Sequence, residues 1–172
     1  MSNKALFLDR DGIINEDYAY VHRPEQIVFV GGIFDLCRKA VEKNYLIIVV
    51  TNQAGVAKGF FTEQNVVDLH NWIKMKFREQ GIEISAFYYS PYHPKATIEK
   101  YRRDSDCRKP GAGMILKAVG DFDIDLSESL MVGDKLSDRI LIENLRSVIV
   151  KSKYVPDGYD IEELKNVETF LK

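Results

Sequence analysis

Cysteine is scarce in this chain of 172 residues, which has only Cys37 and Cys107. Two thiols so far apart do not make a disulfide framework, and they point to a reducing compartment. Long apolar runs are also missing. No segment approaches the roughly 20 residues that span a bilayer, and no basic stretch followed by a long apolar one opens the chain, so no signal peptide is expected. Neither sign of charge dominates: 24 Lys and Arg stand against 26 Asp and Glu, a net charge of -2. That balance gives no general attraction to nucleic acid or to acidic membranes. There is no Gly-x-x-x-x-Gly-Lys-Ser/Thr segment, which excludes a P-loop nucleotidase. Internal repeats, low-complexity tracts and interdomain linkers are absent too. With 45% apolar residues, the chain suits one cytoplasmic domain over residues 1–172 with a real core.

What is present begins with KALFLDRDGIINE, Lys4 to Glu16. The apolar run Ala5–Leu8 suits a buried strand. Its C-terminal end holds out Asp9 and Asp11, two residues apart and therefore on one side of extended backbone. Two anions that close repel unless a cation or a shared proton lies between them. A hard ion such as Mg2+ takes one or two carboxylates and leaves its other positions to water and phosphate oxygens. A calcium loop does not fit, because the fifth residue from Asp9 is Ile13 and Gly12 comes too early.

The same arrangement recurs. LIIVV, Leu46–Val50, runs into Thr51-Asn52-Gln53, and SLMV, Ser129–Val132, runs into Gly133-Asp134-Lys135. Further strands are expected at Ile84–Tyr89 and Val148–Val150. Helices are expected at Ile33–Lys43, after a Thr62 cap, at Gly111–Phe122, at Leu136–Leu145 and at Ile161–Leu171. His70 reads as a surface or packing residue, and Trp72 as core. Strands alternating with helices imply a parallel sheet covered on both faces. The fold class is therefore α/β, a Rossmann-like three-layer sandwich with no large cap domain. Ligands of such sheets bind beyond the carboxyl ends of the strands, so Asp9/Asp11, Thr51/Asn52 and Asp134/Lys135 should converge on one rim. The loop Ser90–Pro110 is long enough to suggest function, with Arg108 and Lys109 the cations best placed to be held.

These groups suit phosphoryl transfer. Asp9 could attack phosphorus, while Asp11 protonates the leaving oxygen and then activates water. Mg2+ on Asp9, Asp11 and Asp134 would screen the charges. Thr51 and Lys109 would hold the equatorial oxygens.

The phrases FLDRDGIIN, VVTNQAGVAKG, YYSPYHP, DCRKPGAGM and MVGDKLSD resemble the haloacid dehalogenase superfamily. Within it they are similar to the D,D-heptose 1,7-bisphosphate phosphatases and their histidinol-phosphatase relatives. The resemblance implies removal of the C7 phosphate to leave heptose 1-phosphate for nucleotide activation, in lipopolysaccharide or another surface glycan. It makes Asp9 the nucleophile, Asp11 the general acid/base, Thr51 and Lys109 the stabilisers of the transferred group, and Arg108 a recognition residue. It implies substrate contacts along Asp9-Arg10-Asp11, at Asp17, Tyr18, Ala19 and Tyr20, at Thr51, Asn52, Gln53 and Ala54, and at Lys135. A structural zinc loop is frequent in the family, but its positions hold Ser90, Tyr92, Ser105 and Cys107 here. With His93 the only other ligand nearby, no zinc is expected. RILIENLRS, after Asp138, lacks the small residues usual there. A monomer is expected. Histidinol phosphate phosphatase, a phosphoacceptor signalling domain and an inactive scaffold are the alternatives.

Overall fold

The computed structural model describes residues 1–172. Its centre is a five-stranded parallel sheet in the order β3-β2-β1-β4-β5. The strands are β1 (Lys4–Leu8), β2 (Tyr45–Asn52), β3 (Ile84–Ser90), β4 (Leu130–Gly133) and β5 (Arg146–Ile149). Side chains alternate across a strand, and β1 divides accordingly. Leu6 and Leu8 join Ile47 and Val49 of β2 on one face, while Ala5 and Phe7 join Ile48 and Val50 on the other. Both faces of the central strands are apolar because both are covered.

Helices α1 (Ile33–Glu42) and α3 (Glu63–Glu79) cover the first face, burying Ile33, Leu36, Cys37 and Ala40, and Leu69, Ile73 and Phe77. A one-turn helix α2 (Ala54–Ala57) lies between β2 and α3. Helix α4 (Gly113–Phe122) covers the second face with Met114, Ile115 and Ala118. These are the three layers of the α/β sandwich, and no cap domain is inserted in it. Thr62 caps α3, its hydroxyl accepting from the Asn65 N–H at 3.1 Å.

Two expected helices do not form. Over Leu136–Leu145 only Leu136–Asp138 makes a 3-10 turn. Beyond it the chain is irregular, its Ile140 N–H donating to Ser147 Oγ and its Leu141 N–H to the Pro110 carbonyl. The route from β4 to β5 is too short for a full crossover helix, and Ile140 is buried against the second face instead. At the C-terminal end, Ile161 pairs with Val150 in a parallel bridge, and Leu164–Phe170 forms a 3-10 helix. Leu164 and Val167 stand three residues apart, and in a 3-10 helix such positions eclipse on one face. Both are buried beside α1.

Candidate active site

The carboxyl ends of β1, β2 and β4 supply the chemistry. Asp9 follows β1 directly and stays anchored to the sheet, its N–H donating to the Val132 carbonyl at 3.0 Å. The next turn passes so close to β4 that a Cβ on Gly12 would lie 2.1 Å from Asp134 Oδ2. Gly12 also has φ +92°, a conformation that a side chain disfavours. Glycine is therefore the residue that lets Asp9 and Asp134 share one space.

Lys109 sits among these acids. Its Nζ is 2.9 Å from Asp9 Oδ1 and 2.5 Å from Asp138 Oδ1, with all three side chains buried. Its backbone is locked to β2 by paired amides: Lys109 N–H donates to Asn52 Oδ1 at 2.9 Å, and Asn52 Nδ2 donates to the Lys109 carbonyl at 3.2 Å. Asp138 Oδ2 accepts from the Asp134 and Lys135 N–H groups, each at 3.1 Å. Asp138 is thus fully occupied as the counter-ion of Lys109 and the clamp of the β4 loop. Burial, reinforced by repulsion from Asp138 and opposed by Lys109, raises the Asp9 pKa to about 7. Burial also raises Asp134, to about 6, against the pull of Lys135. For Lys109 burial works against the charge, but Asp138 and Asp9 outweigh it and the pKa rises.

Carboxylate oxygens of Asp9, Asp134 and Asp138 lie within 4.8 Å of one another. Asp134 Oδ1 is buried without a hydrogen-bond partner, and Asp9 Oδ1 carries its contacts to Lys109 and the Arg10 N–H. Only the Lys135 ammonium, 3.8 Å away, lies at ion-pairing distance from Asp134 Oδ1, and a buried carboxylate oxygen without a hydrogen bond beside a second buried carboxylate is what a hard divalent cation would satisfy. Asp11 was expected as the third ligand, but its carboxylate is not in this group. Arg10 Nε and Nη2 donate to Asp11 Oδ1 at 3.3 and 3.0 Å, Asn15 Nδ2 donates to Oδ1 at 3.0 Å, and Gln53 Nε2 donates to Oδ2 at 3.1 Å. Arg10, expected to touch substrate, is fully buried. Its guanidinium is spent on Asp11, the Val21 carbonyl at 2.7 Å and His70 Nε2 at 3.2 Å. A buried guanidinium needs these partners, and they keep it out of the cleft. His70 is accordingly a buried packing residue, not a surface one.

A hollow of about 40 Å³ is lined by Asp9, Asp11, Asn52, Lys109, Lys135 and Ser137. A cleft of about 310 Å³ shares Asp11, Asn52, Lys135 and Ser137 with it. Asp17, Ala19, Tyr20, Gln53, Ala54 and Arg108, all expected at the substrate, line that cleft. Tyr18 lines neither space and is 63% exposed. Thr51 is buried at the end of β2, its Oγ1 accepting from Gln53 Nε2 at 2.9 Å. Lys135 Nζ is 3.2 Å from Asp17 Oδ2, and the same oxygen accepts from the Tyr154 hydroxyl at 2.8 Å. A larger hollow of about 680 Å³ lies beside Asp17 and Asp134, but neither Asp9 nor Lys109 lines it.

Sequence reasoning missed Asp138, Tyr154, Lys58 and Ser137. Asp138 was visible within GDKLSD, and a buried lysine flanked by acids calls for a counter-ion. Tyr154 follows β5 and carried no local signal. At the zinc-loop positions, Cys107 Sγ contacts Ser105 Oγ at 3.0 Å and Ser90 Oγ at 3.4 Å. The loop is tied down further by Tyr101, whose hydroxyl donates to Glu63 at 2.8 Å, the carboxylate that also accepts from Tyr89 of β3 at 2.9 Å.

Residues 9–155 match the family model described as Polynucleotide kinase 3 phosphatase. The chain is 50% identical over 138 residues to the D-glycero-alpha-D-manno-heptose-1,7-bisphosphate 7-phosphatase of Burkholderia mallei, covering 80% of this chain and 73% of that one. It is 43% identical over 136 residues to the D-glycero-beta-D-manno-heptose-1,7-bisphosphate 7-phosphatase of Haemophilus influenzae, covering 79% and 73%. The crystal structure of D,D-heptose 1,7-bisphosphate phosphatase from B. bronchiseptica, complexed with magnesium and phosphate, superposes with TM-score 0.77 at 24% identity, covering 97% of each chain. Together with the rim of Asp9, Lys109 and Asp134, these likenesses place the chain in the heptose 1,7-bisphosphate 7-phosphatase family of the haloacid dehalogenase superfamily.

Proposed function

We propose that this protein is a Mg2+-dependent phosphatase that removes the C7 phosphate of D-glycero-D-manno-heptose 1,7-bisphosphate through an aspartyl phosphate on Asp9. The observation that carries this reading is the buried Asp9–Lys109–Asp138 array beside the orphaned Asp134 oxygen, opening onto a cleft with Arg108 at its wall.

Asp9 Oδ1 is engaged by Lys109 and by the Arg10 N–H, which leaves Oδ2 to attack phosphorus. The Asp9–phosphorus bond forms as the ester P–O bond breaks, and the leaving alkoxide takes a proton from Asp11. Asp11 then accepts a proton from water, whose oxygen attacks phosphorus and frees Asp9 with release of inorganic phosphate. Arg10, Asn15 and Gln53 orient Asp11, which lines both the hollow and the cleft. Lys109 supplies a fixed positive charge where charge develops on the phosphoryl oxygens, and Thr51 serves the same group from the end of β2. Asp9 and Asp134 would hold Mg2+, which when bound lowers the repulsion between Asp9 and an incoming phosphate dianion.

Asp17, Ala19, Tyr20, Asn52, Gln53, Ala54, Arg108 and Lys135 are the substrate-binding residues of this reading. Heptose 1-phosphate is the product, suited to nucleotide activation for a surface glycan. In this reading the protein is a single-domain monomer of the cytoplasm, a reducing compartment that two well-separated cysteines suit. A polynucleotide substrate fits less well: the net charge is -2, whereas proteins that track phosphate backbones carry a basic surface.

Steady-state kinetics with both heptose 1,7-bisphosphate anomers and histidinol phosphate, with and without Mg2+, test the reading. A Mg2+-dependent kcat/KM on one bisphosphate at least tenfold above that on histidinol phosphate is expected. Equal or better turnover of histidinol phosphate would overturn it.

A further inference from the structure

The cleft outside the phosphoryl hollow carries hydrogen-bond donors that the phosphoryl-transfer steps do not use. Lys58, His93 and Arg108 line the outer cleft and are absent from the hollow that holds Asp9 and Lys109. Lys109 and Lys135 are each paired with carboxylates. Lys58 and Arg108 meet none at ion-pairing distance. The Lys58 ammonium donates to the Tyr20 hydroxyl at 2.8 Å, and the Arg108 guanidinium donates to the Tyr92 carbonyl at 3.4 Å. Arg108 is nonetheless sunk deep enough that burial lowers its pKa. Two cations that line one cleft without a carboxylate partner, one of them partly desolvated, are a receptor for an anion.

His93 belongs to the same group. Its Nδ1 accepts from the Lys95 N–H at 3.0 Å, which leaves Nε2 as the protonated nitrogen and hence a donor. Burial and the charges of Arg108, Lys58 and Lys95 keep the ring's pKa below its ordinary value, so it donates as a neutral imidazole at pH 7.

The Lys58 partner is held in a costly conformation. Ala19 and Tyr20 both have positive φ, 59° and 54°, and such residues persist only where their surroundings enforce them. Here Asp17 Oδ1 accepts from the Ala19 N–H at 3.0 Å, and the Tyr20 ring meets Phe60 edge-on at 4.7 Å. Because Tyr20 accepts from Lys58, its own hydroxyl hydrogen is left to donate.

We propose that Lys58 and His93 join Arg108 as the subsite for the second, non-reacting phosphate of a sugar bisphosphate, with Lys58 a specificity-determining residue poised by Tyr20. The inference rests on the sugar-bisphosphate reading above. A phosphate dianion bound there would align the sugar so that its other phosphate enters the hollow at Asp9, and remote binding of this kind is used for orientation at the reacting end.

The test is the ratio of kcat/KM for heptose 1,7-bisphosphate to that for heptose 7-phosphate, in the wild type and in Lys58→Ala, Lys58→Arg and His93→Ala. Lys58→Ala should lower the ratio roughly 10- to 100-fold, the loss expected of one charge-assisted hydrogen bond. Lys58→Arg should keep most of the ratio, and His93→Ala should lower it less than Lys58→Ala. A wild type without preference for the bisphosphate overturns the functional reading and the subsite together. A wild-type preference that Lys58→Ala leaves intact, or equal losses on both substrates, overturns the subsite alone. A circular dichroism melt of each variant confirms that it is folded. If Lys58→Ala does not fold, the Lys58→Arg and His93→Ala ratios decide the matter, and an unchanged ratio in His93→Ala with a collapsed one in Lys58→Arg counts against the proposal.

Discussion

Asp9 and Asp138 are both buried acids facing Lys109, yet their surroundings divide the work between them. Asp138 has both oxygens engaged, by Lys109 and by two backbone N–H groups, so it is a fixed counter-charge. Asp9 has one oxygen engaged and one free to react. Asp9→Asn should therefore lower kcat on the order of 10⁴-fold or more, as loss of a nucleophile does elsewhere, with the melting profile little changed. Near wild-type kcat in the folded variant would remove Asp9 from its role. Asp138→Ala should act on stability. It strips a buried lysine of its shorter ion pair and leaves two N–H groups unsatisfied, for which about 3–5 kcal/mol is the usual cost of breaking a buried pair. Urea unfolding measures this, and a loss below about 1 kcal/mol would show that the pair is not the clamp described.

At the scale of an element, the segment between β3 and α4 shows how a loop is held. Tyr89 and Tyr101 are fastened to Glu63 on α3, and Ala96 and Tyr101 pack against Val56, Ala57 and Phe61. The cysteine that remains at the zinc-loop positions is engaged with serine hydroxyls, and a closed zinc site wants four nitrogen or sulfur ligands. Purified protein should contain no stoichiometric zinc and keep its activity after a zinc-selective chelator. Metal analysis that finds one tightly held zinc per chain would refute this. The short connection from β4 to β5 makes a related point. A helix is expected over Leu136–Leu145, with RILIENLRS lacking the small residues usual there, and only the single turn Leu136–Asp138 forms, which carries the Asp138 that the site uses.

For the molecule as a whole, the site ties stability to pH and to metal. Asp9 and Asp134 have folded pKa values raised to about 7 and about 6 from 3.8. A carboxyl whose pKa is raised by folding contributes stability that is fully present below pH 3.8 and lost as pH rises through the folded pKa. Buried His70 runs the other way. Burial, with Arg10 beside it, depresses its pKa well below 6.5, so it adds stability as pH rises toward 6.5. The two trends overlap in a simple pH titration, but His70 cancels when the protein is compared with and without Mg2+ at one pH. Mg2+ competes with protons only at the acids. The rise in Tm on adding a fixed Mg2+ concentration should therefore be larger at pH 7.5 than at pH 5. An equal rise at both pH values would dissociate Asp9 and Asp134 from metal binding.

The sequence alone determined the strands and the rim. Runs such as LIIVV and SLMV are short, apolar and followed by polar groups, and burial on both faces of a parallel sheet requires that pattern wherever it occurs. Once the strands are parallel, their carboxyl ends lie on one edge, so Asp9, Thr51 and Asp134 were legible before any coordinate. Periodicity reports only how each residue meets its local layer. It cannot say which loop folds back on which strand, and that is what the tertiary structure decided. It turned Arg10 and the Asp11 carboxylate toward each other, gave Lys109 its second partner in Asp138, and brought Tyr154, Lys58 and His93 from three distant segments to one cleft. It also made a bridge and a 3-10 turn of the C-terminal stretch expected as a helix. Most of these outcomes depend on contacts between residues far apart in sequence, and even the adjacent Arg10 and Asp11 are fixed by distant Gln53 and His70, because a buried charge must find its partners.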